Sequence, residues 1–353
     1  MAYSTISKPS LHFNTKLWTG NGGTQSITGV GFQPDFTWIK ERSETRGHNL
    51  TDAVRGAPKY INSATTDAEV TSVSTTLTSF DSDGFSLGSY DDVNKNSQTY
   101  VGWNWKANGA GSANTDGSIS STVSASATSG FSIVKWTGSG SAATIGHGLG
   151  SGNIPKMIIV KNLSDSVNWM VYHNSVVTAS ATNKSFMTLN TTDALGTNGS
   201  ATTFTSVSDT TFGVGTDNIV NGSGDNMIAY CFEEKAGYSK FGSYVGNGNA
   251  DGTFIYTGFA PKFVLLKITS GSDGWWLVDD KQANPYPNPN VQMLVANTTP
   301  GDNTSVSPFI DIYSNGFKLK STWSGVNGSG SSYIYMAIGQ SLVGSNNVPC
   351  TAR

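Results

Sequence analysis

Pro34-Asp35-Phe36-Thr37-Trp38-Ile39-Lys40, Pro155-Lys156-Met157-Ile158-Ile159-Val160-Lys161 and Pro261-Lys262-Phe263-Val264-Leu265-Leu266-Lys267 are one pattern written three times. Each is a strand-forming run that ends in lysine. The second and third are apolar without a break from 157 to 160 and from 263 to 266, as expected of strands buried on both faces or at an interface between units. Upstream of each run stands aromatic-x-Gly-x-Gly: Trp18-Thr19-Gly20-Asn21-Gly22, Trp136-Thr137-Gly138-Ser139-Gly140 and Tyr244-Val245-Gly246-Asn247-Gly248. Downstream comes a turn into an alternating strand, at Asp83-Gly84-Phe85-Ser86-Leu87, Thr211-Phe212-Gly213-Val214 and Asn315-Gly316-Phe317-Lys318-Leu319. Last, an asparagine precedes a closing strand that opens on an aromatic or methionine: Asn94 before Tyr100, Asn221 before Met227, Asn327 before Tyr333.

Four landmarks in one order, three times over, do not arise from composition. The period is too long for a solenoid module of roughly 20–50 residues, and each unit is long enough for its own core. Short alternating strands separated by turn clusters point to an all-β chain of three tandem β-sandwich repeats of jelly-roll or lectin-like kind. The expected boundaries are an N-terminal docking arm at 1–11, repeats at 12–106, 131–235 and 236–345, and a C-terminal tail at 346–353. Residues 107–130 are expected to be a linker or an edge strand, setting the first unit apart, while the short junction near Glu234–Ser239 packs units two and three together.

Composition agrees with this class. The 41 glycines supply turns, and no run of Ala, Leu, Glu, Lys and Arg announces a long helix. At 37% hydrophobic and 11% aromatic the chain is too apolar to be disordered. A net charge of −3 with scattered basic residues gives no electrostatic case for nucleic acid. No apolar stretch approaches a membrane span, so no membrane insertion is expected. The start Met1-Ala2-Tyr3-Ser4-Thr5 lacks the features of a secretory signal, and the two thiols, Cys231 and Cys350, fit a reducing compartment better than a disulfide framework.

The search for chemistry points away from an enzyme. Four histidines (His12, His48, His147, His173) show no zinc spacing, and no nucleophile elbow or phosphate loop is present. Neither a cofactor nor a catalytic residue is assigned. His173 aligns with Asp52 and Asp279 at a strand end, which suits a loop tip better than a general base. Asp81, Asp83 and Asp91 offer oxygen ligands that Ca²⁺ accepts, but the turn survives in unit three as Tyr313-Ser314-Asn315-Gly316 without the carboxylates, so a β-turn is the expected role. Trp275, Trp276, Asp279 and Tyr286 are the candidate ligand-binding residues. Flat aromatic faces beside a carboxylate stack on a sugar and accept its hydroxyls, and the Pro-spaced loop 283–290 is the least repeat-like part of unit three. Adjacent tryptophans on a strand face opposite ways, so one of the pair is expected elsewhere than the core of its own unit.

The opening Met-Ala-Tyr-Ser-Thr-Ile with His12-Phe13-Asn14-Thr15, the stretch Phe80-Asp81-Ser82-Asp83-Gly84-Phe85, the strand Tyr100-Val101-Gly102-Trp103-Asn104-Trp105-Lys106-Ala107, Phe131-Ser132-Ile133-Val134-Lys135-Trp136-Thr137-Gly138 and Ala229-Tyr230-Cys231-Phe232-Glu233 resemble a repeated-domain family of tailed phages of marine bacteria and cyanobacteria. Its members are described as virion structural or tail-fibre-like proteins, sometimes as lectin-like. The resemblance implies a particle component made in the bacterial host cytoplasm, with other virion proteins as partners, commonly as a homotrimer. It leaves two roles open: a tail-fibre or receptor-binding protein contacting host surface polysaccharide, or a capsid decoration or connector that binds only virion proteins.

Overall fold

The structure is a computed structural model describing residues 4, 6–71, 73–182, 185–197, 203–282, 288, 292–302 and 310–341. The described residues are strands and turns, with three single-turn helices and one short 3-10 turn. The first unit carries β1 (Phe13–Thr19), β2 (Gln25–Thr28), β3 (Phe36–Glu41), β4 (His48–Asp52), β5 (Leu77–Asp81), β6 (Gly84–Leu87), α1 (Asp91–Asn94) and β7 (Thr99–Trp105). After β8 (Ser112–Asn114) and β9 (Ser121–Ser126), the second carries β10 (Phe131–Thr137), β11 (Ala143–Gly146), β12 (Pro155–Asn162), β13 (Met170–His173), β14 (Met187–Thr188), β15 (Phe204–Val207), β16 (Thr211–Val214), α2 (Asn218–Asn221) and β17 (Asn226–Glu233). The third carries β18 (Ser239–Val245), β19 (Phe254–Tyr256), β20 (Ala260–Ile268), β21 (Trp275–Asp279), β22 (Leu294–Val295), β23 (Ile310–Tyr313), β24 (Gly316–Leu319), α3 (Ser324–Asn327) and β25 (Ser332–Gln340).

Every pairing between these strands is antiparallel, and the order recurs. The larger sheets run β1-β7-β3-β4, β10-β17-β12-β13-β14 and β18-β25-β20-β21-β22, so in each the closing strand lies between the opening strand and the lysine-ending strand. Each is accompanied by a three-stranded sheet: β2-β6-β5, β11-β16-β15 and β19-β24-β23. The segment 107–130 is no free tether. Its strands β8 and β9 extend the second unit's sheet beyond β10, taking the edge-strand alternative.

The glycine motif has a steric cause. Gly20, Gly138 and Gly246 pass so close to the turn before the closing strand that a Cβ would stand 2.2, 2.1 and 2.4 Å from a backbone oxygen of Lys95, Gly222 or Gly328. The second glycine of each motif, Gly22, Gly140 or Gly248, has φ of 72, 67 or 65°, where a side chain is strained. The recurring asparagine holds the two turns together. Asn94, Asn221 and Asn327 are fully buried. Their amides donate to Gly23, Ser141 and Asn249 carbonyls at 2.7, 2.6 and 2.8 Å, and their Oδ1 atoms each accept from the backbone N–H inside the glycine motif at 3.0 Å.

The lysine-ending strands are buried on both faces. In unit three Val264 and Leu266 join Phe317 and Tyr335 in a local core, while Phe263 and Leu265 join a larger one. In unit one Ile39 lies in the local core with Phe85, while Phe36 and Trp38 belong to the larger. That larger core is common property: Trp103, Tyr230 and Met336, which hold matching positions on the three closing strands, all contribute to it. Phe36 stacks on Tyr230 at 4.3 Å, and Phe13 meets Phe263 at 5.6 Å. The first unit therefore packs against both others rather than standing apart. Its large sheet presents an aromatic face that water contact would penalise, and the extra length of 107–130 is taken up in strands. The N-terminal segment expected to be a docking arm has Ser4 and Ile6 buried, and Ile6 lies in the shared core.

Candidate functional site

The site best defined by geometry is the junction between units, and it recurs three times. Strand register makes Lys40, Lys161 and Lys267 equivalent, and likewise His48, Trp169 and Trp275. All six are essentially buried. Lys40 Nζ donates to Thr299 O at 3.0 Å, Lys161 to Thr66 O at 3.1 Å, and Lys267 to Thr192 O at 3.0 Å. His48 Nε2 donates to Val295 and Thr298 carbonyls, Trp169 Nε1 to those of Asn62 and Thr65, and Trp275 Nε1 to that of Thr188. Unit one thus grips unit three, unit two grips unit one, and unit three grips unit two. The contacts close a cycle.

The gripped loops are themselves a repeat: Thr65-Thr66-Asp67, Thr191-Thr192-Asp193 and Thr298-Thr299-Pro300. Only three residues long and displaced by a shorter connection in unit one, this motif is weak in sequence. Its signal is its fixed position after β14 and β22 and after the matching bridge at Ile61.

A second layer follows the same direction. Trp103 Nε1 donates to Asp279 at 2.8 Å, and Tyr230 Oη donates to Asp52 at 2.8 Å. The third closing strand has Met336, which has no donor, and there the acceptor is missing too: His173 replaces the aspartate and its Nε2 donates to Tyr335 O at 3.2 Å. The alignment of His173 with Asp52 and Asp279 holds in the strand register, but His173 is fully buried in a strand and tips no loop.

Burial sets the electrostatics. The ammonium groups of Lys40, Lys161 and Lys267 are each pulled down to about 8, the desolvation outweighing nearby carboxylates. Burial takes His48 down to about 3 and His173 to about 4. His48 Nδ1 accepts from Trp38 Nε1, which can only donate, so the ring is neutral with its proton on Nε2. Asp279 is raised by burial, although Trp103, Gln282 and the backbone of Lys281 donate to it. Burial also pushes the Cys231 thiol up to about 12, as suits a packed, unreactive sulfur; Cys350 lies outside the described residues.

Of the four sequence candidates, Trp275 and Asp279 are interior groups engaged across the junctions, with no face for a sugar. Trp276 points the other way, into unit three's own core, edge-on to Trp323 at 4.5 Å. Its rim borders an open cleft of about 540 Å³ where all three units meet, walled by Arg42, Glu44, Thr192, Asp273 and Asp302. Arg42 and Asp302 are paired there at 2.7 Å. Tyr286 lies outside the described residues. At the centre of the molecule the shared core leaves a void of only about 10 Å³, bordered by Phe36, Trp38, Ile159, Phe263 and Met336, which is room for one water at most.

The Asp81–Gly84 carboxylates serve their turn. Asp83 accepts from the backbone of Gly29 and Gly31 at 3.0 and 2.7 Å, which lowers its pKa, and Asp81 accepts from Ser79 and Ser86. Asp91 pairs with Arg46 at 3.0 Å. Among the described residues no group of three His, Cys, Asp or Glu side chains is placed to hold a metal ion.

A family model described as Domain of unknown function (DUF7483) matches residues 8–341. The chain belongs to that family. The DUF7483 match runs through all three units and the segment between the first two. No curated protein and no solved structure matches the chain.

Proposed function

We propose that this chain is a non-catalytic structural component of a phage particle, built of three jelly-roll or lectin-like β-sandwich repeats and exposed at the particle surface. The observation that carries this reading is where the reactive groups have gone. The matched lysines, two of the four histidines and the aspartates of the closing layer are spent on joining one unit to the next. An arrangement that commits its titratable side chains to internal joints supplies rigidity and leaves little for turnover.

The same cycle bears on the expected homotrimer. A head-to-tail interface that closes on itself within one chain has no open end with which to recruit further copies. In this reading the protein is made in the host cytoplasm and joined to other virion proteins, its own copies in a homotrimer included, through its outer faces. Quantitative mass spectrometry of purified particles, with gold-labelled antibody to place the protein, is the test. Copies on tail fibres support the receptor-contacting role, copies over the shell support decoration, and absence from particles refutes the reading.

A further inference from the structure

The three-stranded sheets offer a comparison internal to the molecule. Ile27, Ile145 and Ile255 pair with Phe85, Phe212 and Phe317, which fixes the equivalence of every neighbouring position. On either side of that isoleucine unit one has Ser26 and Thr28, unit two has Thr144 and Gly146, and unit three has Phe254 and Tyr256. Across the sheet the position beside the β5–β6 turn is Asp81 in unit one and Ser208 in unit two, but Tyr313 in unit three. The same fold stands twice without these aromatics, so they are not required by it. They are also exposed: Phe254 by 44%, Tyr256 by 62% and Tyr313 by 42%.

Their geometry is a corner. Phe254 meets Tyr313 edge to face, with centroids 5.8 Å apart and planes at 82°. The Phe254 ring lies over Gly316, where a Cβ would be 2.8 Å from its Cζ, so the floor exists because residue 316 carries no side chain. Tyr256 and Tyr313 are the two cross-strand partners of Gly316, which sets their backbones about 10 Å apart, the length of a disaccharide. The nearest charges on this face are already neutralised, Lys318 by Asp251 and Lys320 by Asp311.

We propose that this face of unit three binds a neutral saccharide, one sugar ring seated against the Phe254–Tyr313 corner and the next toward Tyr256. The apolar C–H face of a pyranose meets aromatic rings without unpaired polar groups, and the tyrosine hydroxyls are left for its own hydroxyls. Paired rim charges favour an uncharged ligand over an ionic one. The inference refines the receptor-contacting version of the proposed function, and its failure would leave the particle-component reading untouched.

The test uses the full chain with maltotriose, cellotriose and laminaritriose, followed by saturation-transfer NMR and calorimetry. The expected result is a single site of roughly millimolar affinity. Tyr256→Ala and Tyr313→Ala should each weaken it about tenfold without moving the melting temperature, because both side chains are exposed. Grafting the face onto unit one with Ser26→Phe, Thr28→Tyr and Asp81→Tyr should raise the stoichiometry from one site to two. No binding by any of the three sugars, binding that survives Phe254→Ala/Tyr256→Ala/Tyr313→Ala, or self-association of the wild type that this triple variant abolishes would each overturn the assignment.

Discussion

Asn327 Nδ2 reaches Asn247 Oδ1, Asn249 O and Ser321 O from a site sealed from water, while its Oδ1 takes the Asn247 N–H. Deleting such an amide strands several buried partners, so Asn327→Ala, and likewise Asn221→Ala, should cost about 2–4 kcal/mol in urea unfolding. A loss under 1 kcal/mol would show that the turns hold without it. The asparagine is plain in the sequence as a recurring letter. Its task is not, because the turn it holds, at Asn247 and Asn249, lies about eighty residues earlier in the chain. The histidines carry a second expectation. His48 and His173 accept protons near 3 and 4 when folded but near 6.5 when unfolded, so below pH 6.5 the unfolded chain binds protons that the folded chain refuses. Stability supplied above pH 6.5 is therefore lost on acidification, by roughly 1.4 kcal/mol per histidine per pH unit until the folded values are reached. Buried Asp279 and Asp302, raised by desolvation, act in the opposite sense, so the contribution is read as the difference in pH slope between the wild type and His48→Gln/His173→Gln. Equal slopes would mean that the rings are not held neutral.

Each lysine-ending strand is an element with three obligations: a hydrogen-bond ladder, a face toward its own small sheet and a face toward the neighbouring units. Continuous apolar residues disclose the two faces. The terminal lysine is plain in sequence as a recurring letter, and the structure places it in the interior. Lys161 Nζ donates to the carbonyls of Thr66, Asn162, Asp165 and Val167, binding its own turn and its neighbour's together. Lys161→Met keeps the length of the stem and removes the donor. Several buried carbonyls then lose their partner, and the expected loss is about 2–4 kcal/mol, measured by the shift in urea midpoint at constant m. A variant as stable as the parent would mean that the ammonium's desolvation offsets its bonds. The tryptophan pair shows the same limit of local reading. Period-2 alternation correctly separates Trp275 from Trp276, but only the assembled cycle shows that the outward-facing partner is inside.

At the scale of the molecule, three units share a core to which each contributes large aromatic side chains, so none is expected to be stable alone. Calorimetry on the full chain should give one cooperative transition, and a fragment such as 12–106 should be unfolded when isolated, by near-UV circular dichroism; three separable transitions would refute this. The repeat is legible in sequence because its landmarks are local. The mutual packing is not, since a long intervening segment looks the same whether it swings free or pairs with a sheet. The cycle has one further property. Two of its junctions are spanned by the chain, while the contact of unit one with unit three, marked by Arg42 with Asp302 and His48 with the 295–298 carbonyls, is held by non-covalent forces alone. Ser4 and Ser341 both lie against Gly237, so the two sides of that seam end close together. A peptide joining them, with a cut in the exposed turn at Asn108–Gly111, would move the seam between units one and two. A cyclic permutation of the units should therefore be tolerated, the permuted protein regaining the same contacts from a different starting point.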